Sequence, residues 1–205
     1  MAGRIIRSID APGTNIMGLA WDGRSLWVLD YTSLTFYQVD PRSGRVIRSF
    51  AAPGPGAEGI AWDGRSLWLN DNTTDLLYQV DPRSGQTIRT FAAPGTDSRT
   101  LTWDGRSLWL GDAVTQLLYQ IDPRSGRVFR SFAAPSTLPF GLAWDGRSLW
   151  VLCLGSGLIY QVDPRSGQAI RSFAKPHANS RGMCWDGRTL WVGTHTVALL
   201  HQVAT

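Results

Sequence analysis

Apolar and polar residues alternate along this chain in short runs, and the same series of runs recurs every 41 residues. In the second repeat, the apolar runs 59–62 and 66–69 flank an Asp-Gly pair. Such a pair is typical of a hairpin turn, because glycine accepts positive φ without steric cost. Residues 76–80 and 87–91 form two further runs around an Asp-Pro-Arg-Ser-Gly turn. Since no run has helical spacing, the pattern predicts four short β-strands in each repeat.

Five copies of the 41-residue repeat account for all 205 residues. A repeat of about 40 residues with four strands is typical of a β-propeller blade. We therefore predict an all-β, five-bladed β-propeller with four antiparallel strands per blade, formed by residues 1–205 as a single domain.

The two ends of the chain carry complementary parts of one blade. Residues 4–9 match a fourth strand, and residues 199–203 match a third strand. The last blade is therefore predicted to combine residues 180–205 with residues 1–12, three strands from one end and one from the other. This closure leaves no open sheet edge and favours a monomer, with an oligomeric ring as the alternative.

Each repeat contains the heptapeptide Trp-Asp-Gly-Arg-Ser-Leu-Trp, with Thr in place of Ser in the fifth copy. Its two tryptophans stand on either side of an even-numbered turn, so their side chains point to opposite faces of the blade. Every interface between neighbouring blades should therefore receive two tryptophans. A large aromatic side chain buries about 150–250 Å², so we interpret the ten tryptophans as packing rather than as a ligand platform.

The charge distribution argues against nucleic-acid binding, although the net charge is +4 and the pI is about 9.5. Seventeen of the twenty basic residues occupy repeat-equivalent positions, with Asp in the same turns. Such dispersed charge indicates a solvated surface rather than a phosphate-binding track. No long apolar run predicts a membrane span, and no signal-peptide core follows residues 1–4. We expect a soluble chain, and the sequence does not indicate its cellular compartment.

Cys153 and Cys184 are the only cysteines. Their predicted positions along neighbouring blades differ in depth by roughly 10 Å at the rise of a β-strand. This separation exceeds what a disulfide can span. We therefore expect two reduced, buried thiols.

The five copies differ mainly in two segments: the entry to each first strand and the stretch after the second tryptophan. In an up-and-down blade these loops share one face, so the sequence predicts a ligand site there, at the mouth of the channel. The equivalent entry positions hold Met17, Glu58, Arg99, Phe140 and Arg181.

Glu58 is the only glutamate in the chain and stands between two arginines of this predicted ring. One interpretation is a general acid or base, or an ion-binding pair. The other is an exposed ion pair that solvent screens and that contributes little.

The stretch after the second tryptophan holds a second equivalent set: Asp30, Asp71, Asp112, Cys153 and Thr194. Three carboxylates on one rim could bind Ca²⁺ or another hard cation. Alternatively, each Asp accepts hydrogen bonds from the backbone of its own turn. Consecutive blades spread the carboxylates over more than half of the ring, so we expect no bound metal, and nothing in the sequence indicates another cofactor.

The three histidines show no metal-ligand spacing. His201 replaces the tyrosine of the other repeats and is expected to pack. His195 belongs to the variable face and is kept with the rings as a ligand-binding candidate. The chain has no Gly-x-Ser-x-Gly, phosphate-loop or Cys-x-x-Cys motif.

The repeat pattern resembles the NHL/YVTN-type propellers over the full length. In the first repeat it reads Gly-Leu-Ala-Trp-Asp-Gly at 18–23, Leu-Trp-Val-Leu-Asp at 26–30 and Tyr-Gln-Val-Asp-Pro at 37–41. The glutamine cyclotransferases are similar in having five blades, and virginiamycin B lyase has seven. Residues 58–60 are similar to the Thr-Gln-Gly-Leu region of the cyclotransferases, whose flanking residues are absent here. The resemblance implies the fold and transfers no catalytic residue.

Two kinds of function are compatible with these features. The sequence favours a non-catalytic scaffold or binding module whose variable loops meet a small molecule or a protein. The alternative is a cyclase- or lyase-type enzyme that uses Glu58 with Arg99, Arg181 or His195. The near-identity of the copies is also typical of a recently amplified or engineered repeat protein, with no evolved site.

Overall fold

The computed structural model describes residues 2–205, and this range contains twenty β-strands and no helix. The strands form five separate four-stranded antiparallel sheets, which are the blades. Blade 1 contains β2 (Ile16–Trp21), β3 (Leu26–Asp30), β4 (Thr35–Val39) and β5 (Val46–Ala51). Blade 2 contains β6 (Ala57–Trp62), β7 (Leu67–Asp71), β8 (Leu76–Val80) and β9 (Thr87–Ala92).

The other three blades repeat this arrangement. Blade 3 contains β10 (Ser98–Trp103), β11 (Leu108–Asp112), β12 (Leu117–Ile121) and β13 (Val128–Ala133). Blade 4 contains β14 (Pro139–Trp144), β15 (Leu149–Cys153), β16 (Leu158–Val162) and β17 (Ala169–Ala174). Blade 5 contains β18 (Ser180–Trp185), β19 (Leu190–Thr194), β20 (Leu199–Val203) and β1 (Ile5–Asp10).

The fifth blade is assembled from both ends of the chain. β1 pairs antiparallel with β20, from Ile5 opposite Val203 to Asp10 opposite Leu199. A backbone hydrogen bond of 2.9 Å from the Gly3 amide to the Ala204 carbonyl extends this ladder. The predicted five-bladed fold and its closure by the N-terminal strand are therefore confirmed.

Tryptophans from neighbouring blades pack together at every blade interface. Trp27 of blade 1 shares a core cluster with Trp62 of blade 2, and Trp191 of blade 5 shares one with Trp21 of blade 1. The other three pairs are Trp68 with Trp103, Trp109 with Trp144, and Trp150 with Trp185. The second tryptophan of each heptapeptide is almost fully buried. Two tryptophans therefore stabilise each interface, as predicted.

The first tryptophans also surround one end of the channel. A cavity of about 70 Å³ there is lined by all five of them together with the inner strands. The inner strands approach so closely that a Cβ added at Gly59 would lie 2.6 Å from the Cα of Thr100 in the next blade. Small residues on these strands therefore permit a narrow channel whose tryptophan-lined end is opposite the variable loops.

A hydrogen-bonded network crosses blades 3, 4 and 5 from the inner hairpin to the outer strand. In blade 3, Trp109 Nε1 donates to Asp104 Oδ2 at 2.8 Å, and Gln120 Nε2 donates to the same oxygen at 3.2 Å. Arg130 Nε donates to Gln120 Oε1 at 2.8 Å, and its guanidinium lies 5.4 Å from the centre of the Trp109 ring. We call this set the Trp-Asp-Gln-Arg network. Blades 4 and 5 form it with Trp150, Asp145, Gln161 and Arg171, and with Trp191, Asp186, Gln202 and Arg7.

The arginines of this network also connect neighbouring blades. Arg130 Nη1 donates to the carbonyl oxygen of Arg165 in blade 4 at 3.3 Å, and Arg89 makes the equivalent bond to Arg124. A planar guanidinium can donate hydrogen bonds and stack on an aromatic ring at once. These outer-strand arginines are exposed or half-buried, so they bond to a neighbouring blade while they remain in contact with solvent.

Both cysteines are buried and free. Burial raises the pKa of the Cys153 thiol to about 12 and that of Cys184 well above its usual range. The predicted absence of a disulfide is confirmed, and both thiols stay protonated and unreactive at neutral pH. Residues 2–205 also include no helix of the length and apolarity that crossing a membrane requires.

Candidate functional site

The five predicted ring residues lie together at the end of the channel formed by the variable loops. Each is the second residue of the first strand of its blade. They line a cavity of about 200 Å³, which is completed by Asn15, Tyr31 and His195. The five are Met17, Glu58, Arg99, Phe140 and Arg181.

A β-bulge places each of these residues. In blade 1, Ile16 pairs with Asp30 and Gly18 with Leu29, so Met17 is left without an opposite residue. The same shift of register occurs at the start of the first strand in the other four blades. A bulge bends the strand and changes the direction of the extra side chain. The bulge therefore explains why one position per blade turns toward the channel mouth; the sequence pattern predicted the positions but not the bulge.

Glu58 is buried, with 1 % of its surface exposed. Its Oε1 accepts hydrogen bonds from Arg99 Nη1 at 2.7 Å and from Asn72 Nδ2 at 3.2 Å. Burial raises the pKa of Glu58 to about 7, against the opposing effect of Arg99 and Arg181. The expectation of an exposed, screened ion pair is therefore wrong, because the blades on either side remove this carboxyl from water.

Arg99 is held by two carboxylates and one aromatic ring. Its Nη1 contacts Glu58, and its Nη2 lies 2.6 Å from Asp97 Oδ1. Its guanidinium carbon lies 5.2 Å from the centre of the Phe140 ring. These contacts fix the guanidinium at the cavity wall.

Arg181 shares the aromatic ring with Arg99 but, within residues 2–205, has no carboxylate partner. Its guanidinium carbon lies 4.7 Å from the centre of the Phe140 ring. Within residues 2–205, however, its side chain forms no hydrogen bond and no ion pair. Burial lowers the pKa of Arg181, and Glu58 opposes that effect. Arg181 is therefore a half-buried cation, positioned by an aromatic face, with its hydrogen-bond donors unused.

Unpartnered buried polar atoms are concentrated at this cavity. Within residues 2–205, these atoms include Asn15 Oδ1, Glu58 Oε2, Arg99 Nε and Arg181 Nε. All four belong to residues that line the cavity. Buried polar groups in native proteins are rarely left without a partner. The cavity therefore offers both donors and acceptors to a polar ligand.

The aspartates of the second ring do not line the cavity. Asp30 accepts from the Asn15 and Ser33 amides at 2.8 and 2.9 Å. Asp71 and Asp112 bond the corresponding loop backbones in blades 2 and 3. Each carboxylate thus ties the entry loop of its blade to the loop after the second strand. No three His, Cys, Asp or Glu side chains within residues 2–205 are grouped to hold a metal ion.

His195 lies at the edge of the cavity and is partly exposed. Its amide donates to the Asn179 carbonyl at 2.8 Å, which holds the loop in place. Burial, and then the charge of Arg181, lower the pKa of His195. The imidazole is therefore neutral at pH 7 and can donate or accept one hydrogen bond at the rim.

Sequence reasoning missed several contributors to this site. Asn15 and Tyr31 line the cavity, while Asn72 and Asp97 bond its charged groups. All four lie in the two segments that vary among the repeats. Variation among the repeats marks these segments as part of the site, but the sequence does not show which of their residues face the cavity.

Three larger grooves lie on the opposite face, between the two tight turns of a blade. They measure about 570, 440 and 360 Å³ in blades 4, 1 and 2, and each is lined mainly by turn residues. None of the unpartnered buried polar atoms found within residues 2–205 belongs to the lining of these grooves. We therefore regard the smaller cavity at the variable face as the candidate site.

No family model matches the chain, and no curated protein matches it. Among solved structures, the chain is similar to the glutaminyl cyclase of Myxococcus xanthus, with 19% identity and a TM-score of 0.82. The match covers 98% of this chain and 94% of the cyclase. Virginiamycin B lyase from Staphylococcus aureus matches with 17% identity and a TM-score of 0.59, over 94% of this chain and 67% of the lyase.

A chain of a nidogen/laminin complex is also similar, with 18% identity and a TM-score of 0.67, over 87% of this chain and 72% of that chain. At these identities the likeness concerns the fold. It places the chain among propellers that resemble the cyclase, the lyase and the NHL/YVTN type, as the repeat pattern predicted.

Proposed function

We propose that this propeller is a non-catalytic binding module that takes a small organic anion, recognised through its carboxylate, at the channel mouth. The observation that carries this proposal is the half-buried Arg181, which has no acceptor within residues 2–205 and lines a cavity with three further residues that each have one unpartnered polar atom. A carboxylate offers acceptor oxygens in the geometry that a guanidinium recognises.

The charges at the cavity support an anion. Arg99 is already paired with Glu58 and Asp97. Glu58 has a pKa of about 7, so it is largely protonated in mildly acidic solution. The charge of Arg181 then has no counterion in the cavity, and a bound carboxylate would supply one.

The size of the cavity supports a small ligand. Its volume of about 200 Å³ equals that of roughly seven water molecules at about 30 Å³ each. The residues that carry these unpartnered polar atoms line a concave space, which suits a small molecule better than a flat protein surface. Phe140 and Met17 supply apolar wall for the body of the ligand.

The test is a calorimetric titration of the protein with acetate and with succinate at pH 6. Both should bind to the wild type. Arg181→Gln should weaken binding by about tenfold to a hundredfold, because a hydrogen bond to a charged group contributes about 1.5–3 kcal/mol. Arg188→Gln is the matched control, since it removes the same charge from the exposed turn of blade 5. Thermal melting should show that both variants are folded.

The proposal fails if wild-type protein binds neither anion, or if Arg188→Gln weakens binding as much as Arg181→Gln. The latter result would mean that only the overall charge attracts the anion. Methylammonium, a small cation, should show no binding under the same conditions.

A second candidate function is that of a small-molecule cyclase. It is favoured by the similarity to a glutaminyl cyclase over 98% of this chain and by the pKa of Glu58 of about 7, which suits a general acid or base at neutral pH. A shared fold does not carry an activity with it. Release of ammonia from a glutaminyl peptide, abolished in a folded Glu58→Gln variant, would decide for the enzyme.

A further inference from the structure

We infer that the channel mouth binds its anion together with one proton, and that the proton is carried by Glu58. This inference rests on the proposed anion-binding function and specifies how the site is regulated. Its basis is geometric: the only glutamate of the chain is buried in the wall of the same cavity that Arg181 faces.

The two oxygens of Glu58 have different environments. Oε1 accepts from Arg99 and Asn72, whereas Oε2 is buried and has no partner within residues 2–205. A proton on Oε2 would leave both hydrogen bonds to Oε1 intact. It would also remove the negative charge of Glu58 from the wall of the cavity that a bound carboxylate would occupy.

The charged and titratable groups around Glu58 come from several elements. Arg99 on β10 bonds it, Asp97 lies on the far side of Arg99, and Arg181 on β18 attracts it across the cavity. On its own blade, Asp71 of β7 is bonded to the Gly56, Thr73 and Thr74 amides. The remaining groups nearby are Tyr31, His195 and Lys175.

Among these groups, Glu58 is the one whose negative charge would repel a bound anion most directly. A second carboxylate in a cavity of about 200 Å³ would lie within a few ångströms of the first. Like charges this close, away from water, disfavour simultaneous ionisation. Protonating Glu58 removes the repulsion and leaves Arg99 with Asp97 as its anionic partner.

The pH dependence has a definite sign. Burial already raises the pKa of Glu58 to about 7, and a bound anion raises it further. Well below pH 7 the free protein already carries the proton, so binding takes up none. Above pH 7 one proton is taken up for each anion, and the dissociation constant should rise about tenfold per pH unit.

The neighbouring titratable groups do not produce this pattern. His195 has a lowered pKa, so it is neutral throughout the range above pH 7. Lys175 also has a lowered pKa; an anion would raise it again, so Lys175 would take up a proton in the same direction as Glu58, but only near its own titration. The Glu58→Gln variant removes the carboxyl and leaves His195 and Lys175 in place, so proton uptake that disappears in this variant belongs to Glu58.

The experiment uses acetate, which stays a monoanion above pH 6. Proton uptake is measured in unbuffered solution as the acid needed to hold the pH while acetate is added, at pH 6 and at pH 8. We expect uptake that approaches one proton per acetate at pH 8 and is much smaller at pH 6. The dissociation constant should rise about tenfold between pH 7.5 and pH 8.5.

Glu58→Gln should bind acetate with an affinity that does not change over this range and without proton uptake. Arg188→Gln should behave as the wild type. Wild-type binding that is independent of pH and releases or takes up no proton overturns the inference and leaves the proposed function standing. Absence of acetate binding at every pH overturns both the inference and the proposed function. The wild-type measurements are sufficient for this decision even if Glu58→Gln does not fold.

Discussion

At the scale of single residues, one position per blade determines the chemistry of the channel mouth. The bulged second residue of each first strand is Met, Glu, Arg, Phe or Arg in the five blades, while the residue after it is Gly in four blades and Thr in blade 3. Two of these side chains, Arg99 and Arg181, lie against a third, Phe140. A nearly symmetric ring therefore acquires an asymmetric, charged site through five side chains.

His201 is another residue at which one blade departs from the rest. Tyrosine occupies its position in the other four blades. His201 is buried, its Nδ1 lies 2.7 Å from Ser8 Oγ, and its ring stacks on His177. Its Nε2 has no partner within residues 2–205. Burial, and then His177, lower the pKa of His201, so the folded protein favours the neutral ring.

This lowered pKa predicts a loss of stability in acid. Below about pH 6.5 the unfolded chain binds a proton at His201 that the folded protein resists, so the free energy of unfolding falls as the pH drops. His201→Tyr should remove this part of the pH dependence. Urea unfolding at pH 7.5 and 5.5 measures it.

Glu58 contributes the opposite trend, because its raised pKa favours the folded state at low pH, and this contribution is lost as the pH rises from 4.5 through 7. The contribution of His201 is therefore measured by the difference between wild type and His201→Tyr in the pH dependence of the free energy of unfolding. If the free energy of unfolding changed equally with pH in the two proteins, the prediction would be contradicted.

At the scale of the strand and the blade, the repeated sequence is explained by the Trp-Asp-Gln-Arg network. Asp104 accepts from the Arg106 and Ser107 amides in its own turn and from Trp109 and Gln120 across the blade. One carboxylate thus fixes the hairpin turn and the orientation of a buried tryptophan. The heptapeptide recurs together with this bond, since the second Trp donates to the turn Asp in all five blades.

Replacing Asp104 with Ala should therefore destabilise the whole ring. Trp109 Nε1 would lose its acceptor in a buried setting, and each such loss costs about 1–3 kcal/mol. We expect a total loss of about 2–5 kcal/mol in the free energy of unfolding, measured in urea. Asp122→Ala is the matched control, since Asp122 bonds only its own exposed turn. A loss in Asp122→Ala as large as in Asp104→Ala would contradict this role of the network.

At the scale of the whole molecule, the ring is closed by pairing between distant parts of the chain. β1 supplies the outer strand of blade 5, and Arg7 on that strand completes the Trp-Asp-Gln-Arg network with Gln202 and Trp191. Closure therefore involves both the backbone ladder and the side-chain network. The N-terminal strand is an integral part of the fifth blade.

Deletion of residues 1–10 should remove this closure. β20 would become an open edge, which promotes pairing with another chain. We expect dimers or loss of solubility, together with a lower melting temperature, measured by light scattering and thermal unfolding. A truncated protein that stays monomeric and melts as the full chain does would show that β1 contributes little.

Local features of the sequence were sufficient to predict the strands, the number of blades and the closure of the ring. These properties of the fold follow from turns and apolar runs that are local, and from a period of 41 residues that repeats them. The sequence also indicated which five equivalent positions would meet at the channel mouth. Strand spacing and turn chemistry act over a few residues, so they can be read before any long-range contact is known.

The burial and pairing of the groups at that mouth depend on contacts between blades, which local sequence features do not predict. Burial of Glu58 depends on neighbouring blades, and its partner Arg99 is 41 residues away. Arg181 comes from a different side of the ring and has no acceptor within residues 2–205. Desolvation and pairing depend on distances between blades and on the bulges that direct these side chains inward, and a pattern of strands does not specify those distances.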